Sequence, residues 1–344
     1  MPNRGHLQPI HARPDLTRPA LAAARAQPLA GAAGPAPLSA NVTGATQRWR
    51  AYVALCKPRV VALVVFTALV SMCVALPEQP AGILPLWPTL IAGTLGVTLA
   101  AAAAAVLNQV ADRDIDALMR RTRGRPLPTH AVGVPAALAL AAVLGTAAMV
   151  VLVLWVNTAT ALLALFALIG YAVVYTRWLK WSTPQNIVLG GAAGAAPALL
   201  GWTAITGGID AEALSLFLIV FVWTPAHFWP LAIARRSDYA AAGVPMLPLT
   251  HGIAHTRGRI LAYAVALLPV SLMPCVAGTS GALYALGALV LGTDFIRRAA
   301  AFARRGGDPA ALLLFRFSIT YLTALFALLL LDAALGVPGL PVPR

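Results

Sequence analysis

The chain has 344 residues, of which 60% are hydrophobic and only 10% are charged. A soluble domain carries about a quarter charged residues, so this chain has too little charge to cover a water-facing surface. Its long apolar runs instead predict transmembrane helices. The net charge of +14 would suit a nucleic-acid-binding protein, but most Lys and Arg residues lie in loops, where they set membrane topology. The composition therefore predicts a polytopic membrane protein with no nucleic-acid partner.

The predicted elements begin with a disordered tail and continue into the membrane. Residues 1–45 are rich in Ala, Pro and Arg without apolar periodicity, which predicts a disordered N-terminal tail. Residues 46–60 mix basic, aromatic and apolar side chains, as is typical of a short helix in the membrane interface. We predict an all-α membrane domain over residues 46–336 and a short C-terminal tail over residues 337–344. The nine predicted transmembrane helices lie at about residues 60–76, 86–107, 136–155, 158–175, 185–206, 213–234, 260–278, 281–297 and 310–334.

The distribution of basic residues predicts the orientation of these helices. The N-terminal tail and the even-numbered loops hold nearly all Lys and Arg residues, whereas the odd-numbered loops hold Glu78, Asp210 and Glu212 but no base. By the positive-inside rule, the tail and the even-numbered loops are cytoplasmic. We therefore predict a multi-pass protein of the bacterial inner membrane, with a cytoplasmic N-terminus and a periplasmic C-terminus.

Two even-numbered loops are too long and too polar to be simple connections. The first motif loop, residues 108–130, begins with Asn108, Asp112 and Asp116, whose spacing of four places them on one face of a continuing helix. Two carboxylates at this spacing repel each other, but Mg²⁺ between them reverses the effect and leaves positions for phosphate oxygens. Arg121 and Arg125 in the same loop suit phosphate oxygens. An ordinary charged loop would explain the arginines but not carboxylates at a membrane boundary, so we predict a Mg²⁺–diphosphate site.

The second motif loop, residues 234–260, leaves the sixth span as the first motif loop leaves the second span. Arg235 and Asp238 are three residues apart and can share a helix face near its start. Asp238 could hold a second Mg²⁺ or position a basic group, and Tyr239 is predicted to lie beside the substrate. A solvated loop without a role in binding is the alternative interpretation.

With these residues in place, the chain resembles a known family. The pattern NxxxDxxxD at Asn108–Asp116 is similar to the first aspartate-rich motif of the UbiA superfamily of membrane prenyltransferases. Further stretches, in order from residue 57 to about residue 260, narrow the resemblance to the protoheme IX farnesyltransferase (heme o synthase) family. These stretches are KPRV at Lys57–Val60, DRDIDxxMxRTxxRPL at Asp112–Leu127, YTRWLKxSTPQNIVLGGAAGA at Tyr175–Ala195, FVWTPxHFW at Phe221–Trp229 and DYAAAGVPMLP at Asp238–Pro248. The second motif keeps one Asp, with Ser237 where the family usually has a charged residue.

The resemblance implies a nine-helix fold whose active site opens toward the cytoplasm. It implies transfer of farnesyl from farnesyl diphosphate to a vinyl group of heme b, which gives heme o, with Mg²⁺ as cofactor in a membrane-lipid environment. It also implies heme a synthase or oxidase-assembly proteins as partners. The implied metal ligands are Asn108, Asp112 and Asp116. The residues that we assign to catalysis or to substrate binding are Asp112, Asp116, Arg121, Arg125, Asn108, Lys57, Arg235, Asp238, Tyr239 and His227.

Three histidines and one helix leave alternatives open. His227 lies near the end of the sixth span, where a histidine either ligates heme iron or is hydrogen-bonded between helices. His251 and His255 could approach heme or its propionates, or they are solvated loop residues. The small residues of Gly190–Trp202 either shape an apolar tunnel for farnesyl or allow close helix packing.

Two other functions compete with heme farnesylation. A UbiA-type transferase acting on a quinone precursor or chlorophyllide is disfavoured by the MxRTxxRPL and PMLP stretches. A transporter or a non-catalytic heme-handling protein would need buried polar groups at the bilayer midplane. Here the polar groups are predicted at one membrane face, which favours an enzyme that takes up a water-soluble diphosphate group.

Overall fold

The computed structural model describes residues 44–76 and 86–335. Most of the predicted N-terminal tail, the first loop between spans and the predicted C-terminal tail lie outside the described residues. Within those ranges the regular structure is helical, with one π-helical segment at Gly170–Leu179 among the α-helices, and without a β-strand. The helices are α1 (Ala45–Leu55), α2 (Pro58–Ala75), α3 (Trp87–Leu118), α4 (Val134–Trp155), α5 (Thr158–Ser182), α6 (Asn186–Thr206), α7 (Ala211–Ala234), α8 (Arg236–Ala241), α9 (Leu247–Thr250), α10 (Gly252–Ser271), α11 (Met273–Val276), α12 (Ala282–Arg305) and α13 (Asp308–Ala334).

The all-α membrane fold is confirmed. In the described residues, eight segments are long and apolar enough to cross a membrane, with α10 and α11 counted together as one span. The exception among the nine long helices is α12, which runs past the predicted end of the eighth span. Its second half carries Asp294, Arg297 and Arg298, and these charges lower its apolar character.

The helix boundaries follow from local sequence signals. Helices α2, α3, α4 and α13 each carry a proline in the first turn, where its missing N–H is not needed and its fixed φ suits a helix. The side chains of Asn157 and Asp210 cap α5 and α7 by accepting hydrogen bonds from the backbone N–H of Thr160 (2.8 Å) and of Ala213 (3.0 Å). These caps fix the starts of two spans on the side opposite the motif loops.

Helix α3 extends beyond the membrane and carries the first motif on its last turns. It has 32 residues, whereas about 20 residues cross a bilayer. The predicted span ends at residue 107, and the helix continues to Leu118 without a break. Polar side chains from Asn108 onward therefore keep helical spacing, as the sequence predicted.

A buried carboxylate joins α13 to the start of α12 on the side opposite the motif loops. The Asp332 side chain is 1% exposed and accepts hydrogen bonds from the backbone N–H groups of Gly281 (2.6 Å) and Tyr284 (3.1 Å). These N–H groups belong to the first turn of α12, which has no partner for them within the helix. Asp332 therefore acts as an N-cap supplied by a different helix, and it also meets the positive end of the helix dipole.

Replacing Asp332 with Leu is expected to lower the free energy of unfolding by about 2–4 kcal/mol, since two buried N–H groups lose their acceptor. The measurement is reversible or kinetic unfolding in detergent, followed by tryptophan fluorescence. Asp294→Leu is the matched control, because Asp294 lies at the surface and pairs there with Arg297 and Arg298. The control should change stability by less than about 1 kcal/mol. Equal losses in both variants would contradict a capping role for Asp332.

Candidate active site

The first motif lies on one face of α3, where the helix leaves the apolar part of the fold. Asn108, Asp112 and Asp116 are 5%, 6% and 1% exposed. The Asn108 amide nitrogen donates to Asp112 Oδ2 at 3.1 Å, and Asp116 follows one turn later on the same face of the helix, so the three side chains form a row along α3. Carboxylates this deeply buried are stable only when positive groups or hydrogen-bond donors compensate them.

Three cationic side chains supply that compensation, one for each member of the row. Lys57 Nζ donates to Asn108 Oδ1 at 2.6 Å, and Lys180 Nζ donates to Asp112 Oδ1 at 2.8 Å. Arg125 donates to Asp116 Oδ2 at 2.7 Å. The row therefore attracts positive charge from three separate parts of the chain. Such an arrangement can bind an anion together with a divalent cation.

Lys57 reaches the row from the turn between α1 and α2. Burial lowers the pKa of Lys57 to about 8, and the nearby Arg125 guanidinium acts in the same direction. The carboxylates of Asp112 and Asp116 oppose this shift. The pKa stays above neutral pH, so Lys57 remains largely protonated and can act as a phosphate-binding cation.

Helix α5 contributes two site residues that the sequence assignment left out. Its segment Gly170–Leu179 is a π-helix, in which Thr176 Oγ1 donates to the carbonyl oxygen of Tyr171 at 2.7 Å. The wider π-turn brings Thr176 Oγ1 within 3.2 Å of the Asn108 amide, and it precedes Lys180 at Asp112. π-Helical turns within α-helices are frequent at functional sites. The sequence signal that could have identified Lys180 is its position at the end of the YTRWLK motif. The structure shows that this lysine is only 8% exposed.

An apolar cavity of about 170 Å³ opens next to this row. Lys57 and Tyr171 are its polar members, and apolar side chains of α2, α3, α5 and α6 form the rest of its wall. Val97, at the far end of the α3 wall, lies about 16 Å along the helix from Asn108, by the rise of an α-helix. The cavity thus extends from the charged row into the membrane-spanning part of the fold.

Two glycines of α6 differ in what surrounds them. A side chain at Gly194 would project into open space within the cavity wall. A side chain at Gly201 would instead collide with the backbone carbonyl of Ala68 on α2. Gly194 therefore shapes the cavity, whereas Gly201 permits close packing of α2 and α6.

The two motif loops meet through one side-chain pair. An Arg121 guanidinium nitrogen donates to the Tyr239 hydroxyl at 2.9 Å, and the guanidinium carbon lies 5.4 Å from the centre of the Tyr239 ring. Burial raises the pKa of Tyr239, while Arg121 opposes the shift, so the phenol keeps its proton at neutral pH. Tyr239 thus contacts a basic side chain of the first motif loop.

Tyr239→Phe is expected to lower kcat/KM for the diphosphate substrate that the sequence predicts about tenfold, because Arg121 loses one hydrogen-bond acceptor. The ring and its packing on Phe228 remain, which limits the change to one hydroxyl. Tyr263→Phe is the control, because the Tyr263 ring packs edge-on against Trp229 and its hydroxyl makes no hydrogen bond within the described residues. Initial rates over a range of diphosphate concentrations provide the measurement. An unchanged kcat/KM in Tyr239→Phe would show that the hydroxyl does not assist Arg121.

Other predicted site residues do not join the row. Arg235 is exposed at the end of α7, and Asp238 is buried; neither makes a side-chain hydrogen bond within the described part of the chain. The next residue, Arg236, pairs instead with Asp308 at 2.6 Å and fixes the loop to the start of α13. The structure therefore brings Lys57, Asn108, Asp112, Asp116 and Arg125 together. The second motif loop contacts the first motif loop through Tyr239 and not through Arg235 or Asp238.

The histidines lie apart from the row as well. His227 is stacked between Trp223 and Phe315, with ring centroids 4.1 Å and 4.6 Å away, and its Nδ1 lies 2.7 Å from Ser318 Oγ. This is the interhelical hydrogen bond that was one of the two alternatives for His227. His251 and His255 are exposed, with ring centroids 5.3 Å apart.

Comparison with known proteins identifies relatives over most of the chain. Residues 64–322 match the UbiA prenyltransferase family. A protoheme IX farnesyltransferase from Thioalkalivibrio sulfidiphilus is 55% identical over 284 residues, which cover 83% of this chain and 92% of the relative. A protoheme IX farnesyltransferase from Marinobacter nauticus is 50% identical over 303 residues, 88% of this chain and 99% of the relative.

Solved structures share the fold at low sequence identity. A digeranylgeranylglyceryl phosphate synthase superposes with a TM-score of 0.67 at 17% identity, covering 83% of this chain and 99% of that one. A UbiA homolog from Archaeoglobus fulgidus, bound to GPP and Mg²⁺, gives 0.53 at 16% identity, covering 81% of this chain and 99% of that one. The family match and the relatives together confirm the resemblance seen in the motifs: the chain belongs to the UbiA prenyltransferase family.

Proposed function

We propose that this protein transfers a farnesyl group from farnesyl diphosphate to a vinyl group of heme b, giving heme o. The main support for the proposal is that a charged site and an apolar cavity lie side by side. A row of buried oxygen atoms with three cations suits a metal-chelated diphosphate, and an apolar cavity beside it suits a prenyl chain. The choice of acceptor rests on the relatives of about 50% identity that are named protoheme IX farnesyltransferase.

The donor set of the row suits Mg²⁺. Carboxylate and amide oxygens are ligands that Mg²⁺ accepts, and the ion usually keeps further positions for phosphate oxygens and water. In the described residues no group of three or more His, Cys, Asp or Glu side chains could hold a metal, and the row offers two carboxylates and one amide oxygen. We assign Asn108, Asp112 and Asp116 as the residues that hold Mg²⁺. When bound, the ion neutralises charge on the diphosphate oxygens.

Lys57, Lys180 and Arg125 take part in the reaction as cations. These side chains, which contact the row, are placed to donate to the oxygens of a diphosphate bound there, and Arg121 lies in the loop that follows the row. The bond between farnesyl C1 and the diphosphate oxygen breaks, and the diphosphate keeps the electron pair. The basic groups stabilise the charge that develops on this oxygen.

The farnesyl cation is then attacked by the vinyl group of heme b. Farnesyl C1 forms a carbon–carbon bond with the terminal vinyl carbon, and the positive charge moves to the carbon next to the porphyrin ring. Water adds to that carbon and loses a proton, which leaves a hydroxyl group. The apolar cavity holds the farnesyl chain away from water, so premature hydrolysis of the cation is suppressed.

The same proposal includes the placement of the protein in the cell. We propose a bacterial inner membrane with both motif loops on the cytoplasmic side, from which the water-soluble diphosphate group of the substrate enters the site. The basic residues of the even-numbered loops support this orientation. Transfer of heme o to heme a synthase or to oxidase-assembly proteins is proposed as the next step. Arg235, Asp238 and His227 remain proposed substrate contacts. Ser237, where the family usually has a charged residue, does not favour a second Mg²⁺ at Asp238.

The test is a product assay in membranes that contain the expressed protein. Heme b, farnesyl diphosphate and Mg²⁺ are supplied, and the hemes are extracted and analysed by mass spectrometry. We expect heme o in the complete mixture, and none when farnesyl diphosphate is omitted or the divalent metal is chelated. A folded protein that gives no heme o but prenylates an aromatic acceptor would refute the proposed acceptor and favour a quinone-type reaction.

A further inference from the structure

The turn that carries Lys57 has a backbone conformation that side chains seldom adopt. Lys57 has φ 49° and ψ 59°, in the left-handed region, and only one other non-glycine residue in the described ranges, His130, has positive φ. Pro58 follows Lys57 and disfavours the right-handed helical conformation, yet an extended conformation would be open to it. The left-handed turn therefore requires contacts that select it, and such conformations often occur at functional sites.

Backbone hydrogen bonds of Lys57 with Ala54, Val60 and Val61 accompany this conformation, and a side-chain contact that stabilises it comes from Gln109 on α3. Its amide nitrogen donates to the backbone carbonyl oxygens of Ala54 at 3.1 Å and of Leu55 at 2.9 Å, at the end of α1. Gln109 is 1% exposed and Leu55 is fully buried. The final carbonyl groups of a helix lack hydrogen-bond donors within the helix. Gln109 supplies a donor to them at a buried position, where water is not available. It thereby fixes the chain two residues before Lys57.

Neighbouring residues of α3 thus hold both ends of Lys57. Gln109 binds the backbone that leads into the turn, and Asn108 accepts the hydrogen bond from Lys57 Nζ at 2.6 Å. We propose that Gln109 is a positioning residue, which holds the left-handed turn so that the Lys57 ammonium group lies at the diphosphate site. This inference rests on the proposed function, because it gives Lys57 the role of a diphosphate-binding cation.

The test compares Gln109→Met, Lys57→Met and the double variant in the full-length protein. Met keeps the approximate size of Gln109 but donates no hydrogen bond. We expect Gln109→Met to weaken the binding of inorganic diphosphate with Mg²⁺ about tenfold, measured by calorimetry in detergent, as expected for loss of a charge-assisted contact. KM for farnesyl diphosphate should rise by a similar factor, with a smaller change in kcat. In the Lys57→Met background, Gln109→Met should have no further effect on diphosphate binding.

Asn157→Leu provides a matched control on the opposite side of the bundle. The Asn157 amide also donates to two successive carbonyl oxygens, those of Thr203 (2.8 Å) and Ala204 (3.4 Å). It should lower the unfolding temperature without changing diphosphate affinity. If Gln109→Met does not fold, Gln109→Asn keeps the donor on a shorter side chain and should give a smaller loss of affinity.

Two results would overturn the inference. One is a Gln109 variant with a lower unfolding temperature but unchanged diphosphate affinity. The other is an equal loss of affinity with and without the Lys57 side chain, which would mean that Gln109 does not act through Lys57. Failure of the proposed function would look different: the wild-type protein would bind diphosphate normally and yet form no heme o.

Discussion

Asp112→Asn is expected to reduce heme o formation by about a thousandfold or more, because one substitution removes a negative charge from the proposed metal site and a partner from Lys180. Asp112 lies in the middle of the row, between Asn108 and the Lys180 ammonium group. An asparagine keeps the size of the side chain and one oxygen atom, so the helix and its packing should persist. The residual activity should require a higher Mg²⁺ concentration, which a titration of the metal would reveal.

Asp114→Asn makes the same chemical change two residues away and is the control. Asp114 is largely exposed and lies 3.5 Å from Arg113 in a weak surface ion pair. Its variant should keep heme o formation within about twofold of wild type, since exposed ion pairs contribute little. Equal activity of the Asp112 and Asp114 variants would refute the assignment of the metal site to the row on α3.

The positions of the first motif residues could be predicted because helical spacing is a local property. Asn108, Asp112 and Asp116 share a face of α3 for the same reason that residues four apart share a face of any helix. Local spacing does not reveal which distant residue will approach that face. The partner of Asp112 is Lys180, which lies 68 residues further along the chain and reaches it through a π-helical segment. No periodicity in the sequence predicts that the helix changes from α to π in this segment.

In the second motif loop, residues that are close in sequence are not arranged as their spacing predicts. The three-residue spacing of Arg235 and Asp238 predicts a shared helix face, but α7 ends at Ala234 and a new short helix begins at Arg236. The break changes the direction of the chain, so Arg235 is exposed while Asp238 is buried. The sequence predicts that Tyr239 lies beside the substrate, whereas its contact with Arg121 depends on how two loops fold over the same end of the bundle. Such packing between loops is a tertiary property that the spacing of residues cannot give.

Substitutions at Gly194 are expected to control the use of the prenyl substrate according to their size. A side chain at this position enters open space in the cavity wall, so Gly194→Ala should behave like wild type. Gly194→Leu and Gly194→Phe should progressively fill a cavity of only about 170 Å³. We expect Gly194→Phe to lower kcat/KM for farnesyl diphosphate about a hundredfold, because burial of each methylene group contributes about 0.8 kcal/mol and several groups would be displaced. Shorter allylic diphosphates should lose much less, which a comparison of dimethylallyl, geranyl and farnesyl diphosphates would measure.

Variants at two further glycines distinguish the effect of filling the cavity from the effect of damaging the fold. Gly258→Phe adds the same ring in open space on α10, away from the cavity, and should leave the preference among the three diphosphates unchanged. Gly201→Ala places a methyl group against the Ala68 carbonyl, so it should lower the unfolding temperature without favouring shorter substrates. A Gly194→Phe protein that loses activity equally with all three diphosphates would contradict the assignment of this cavity to the prenyl chain. A selective loss with the longest substrate would instead show that the small residues of α6 are needed for the space beside the charged row as well as for helix packing.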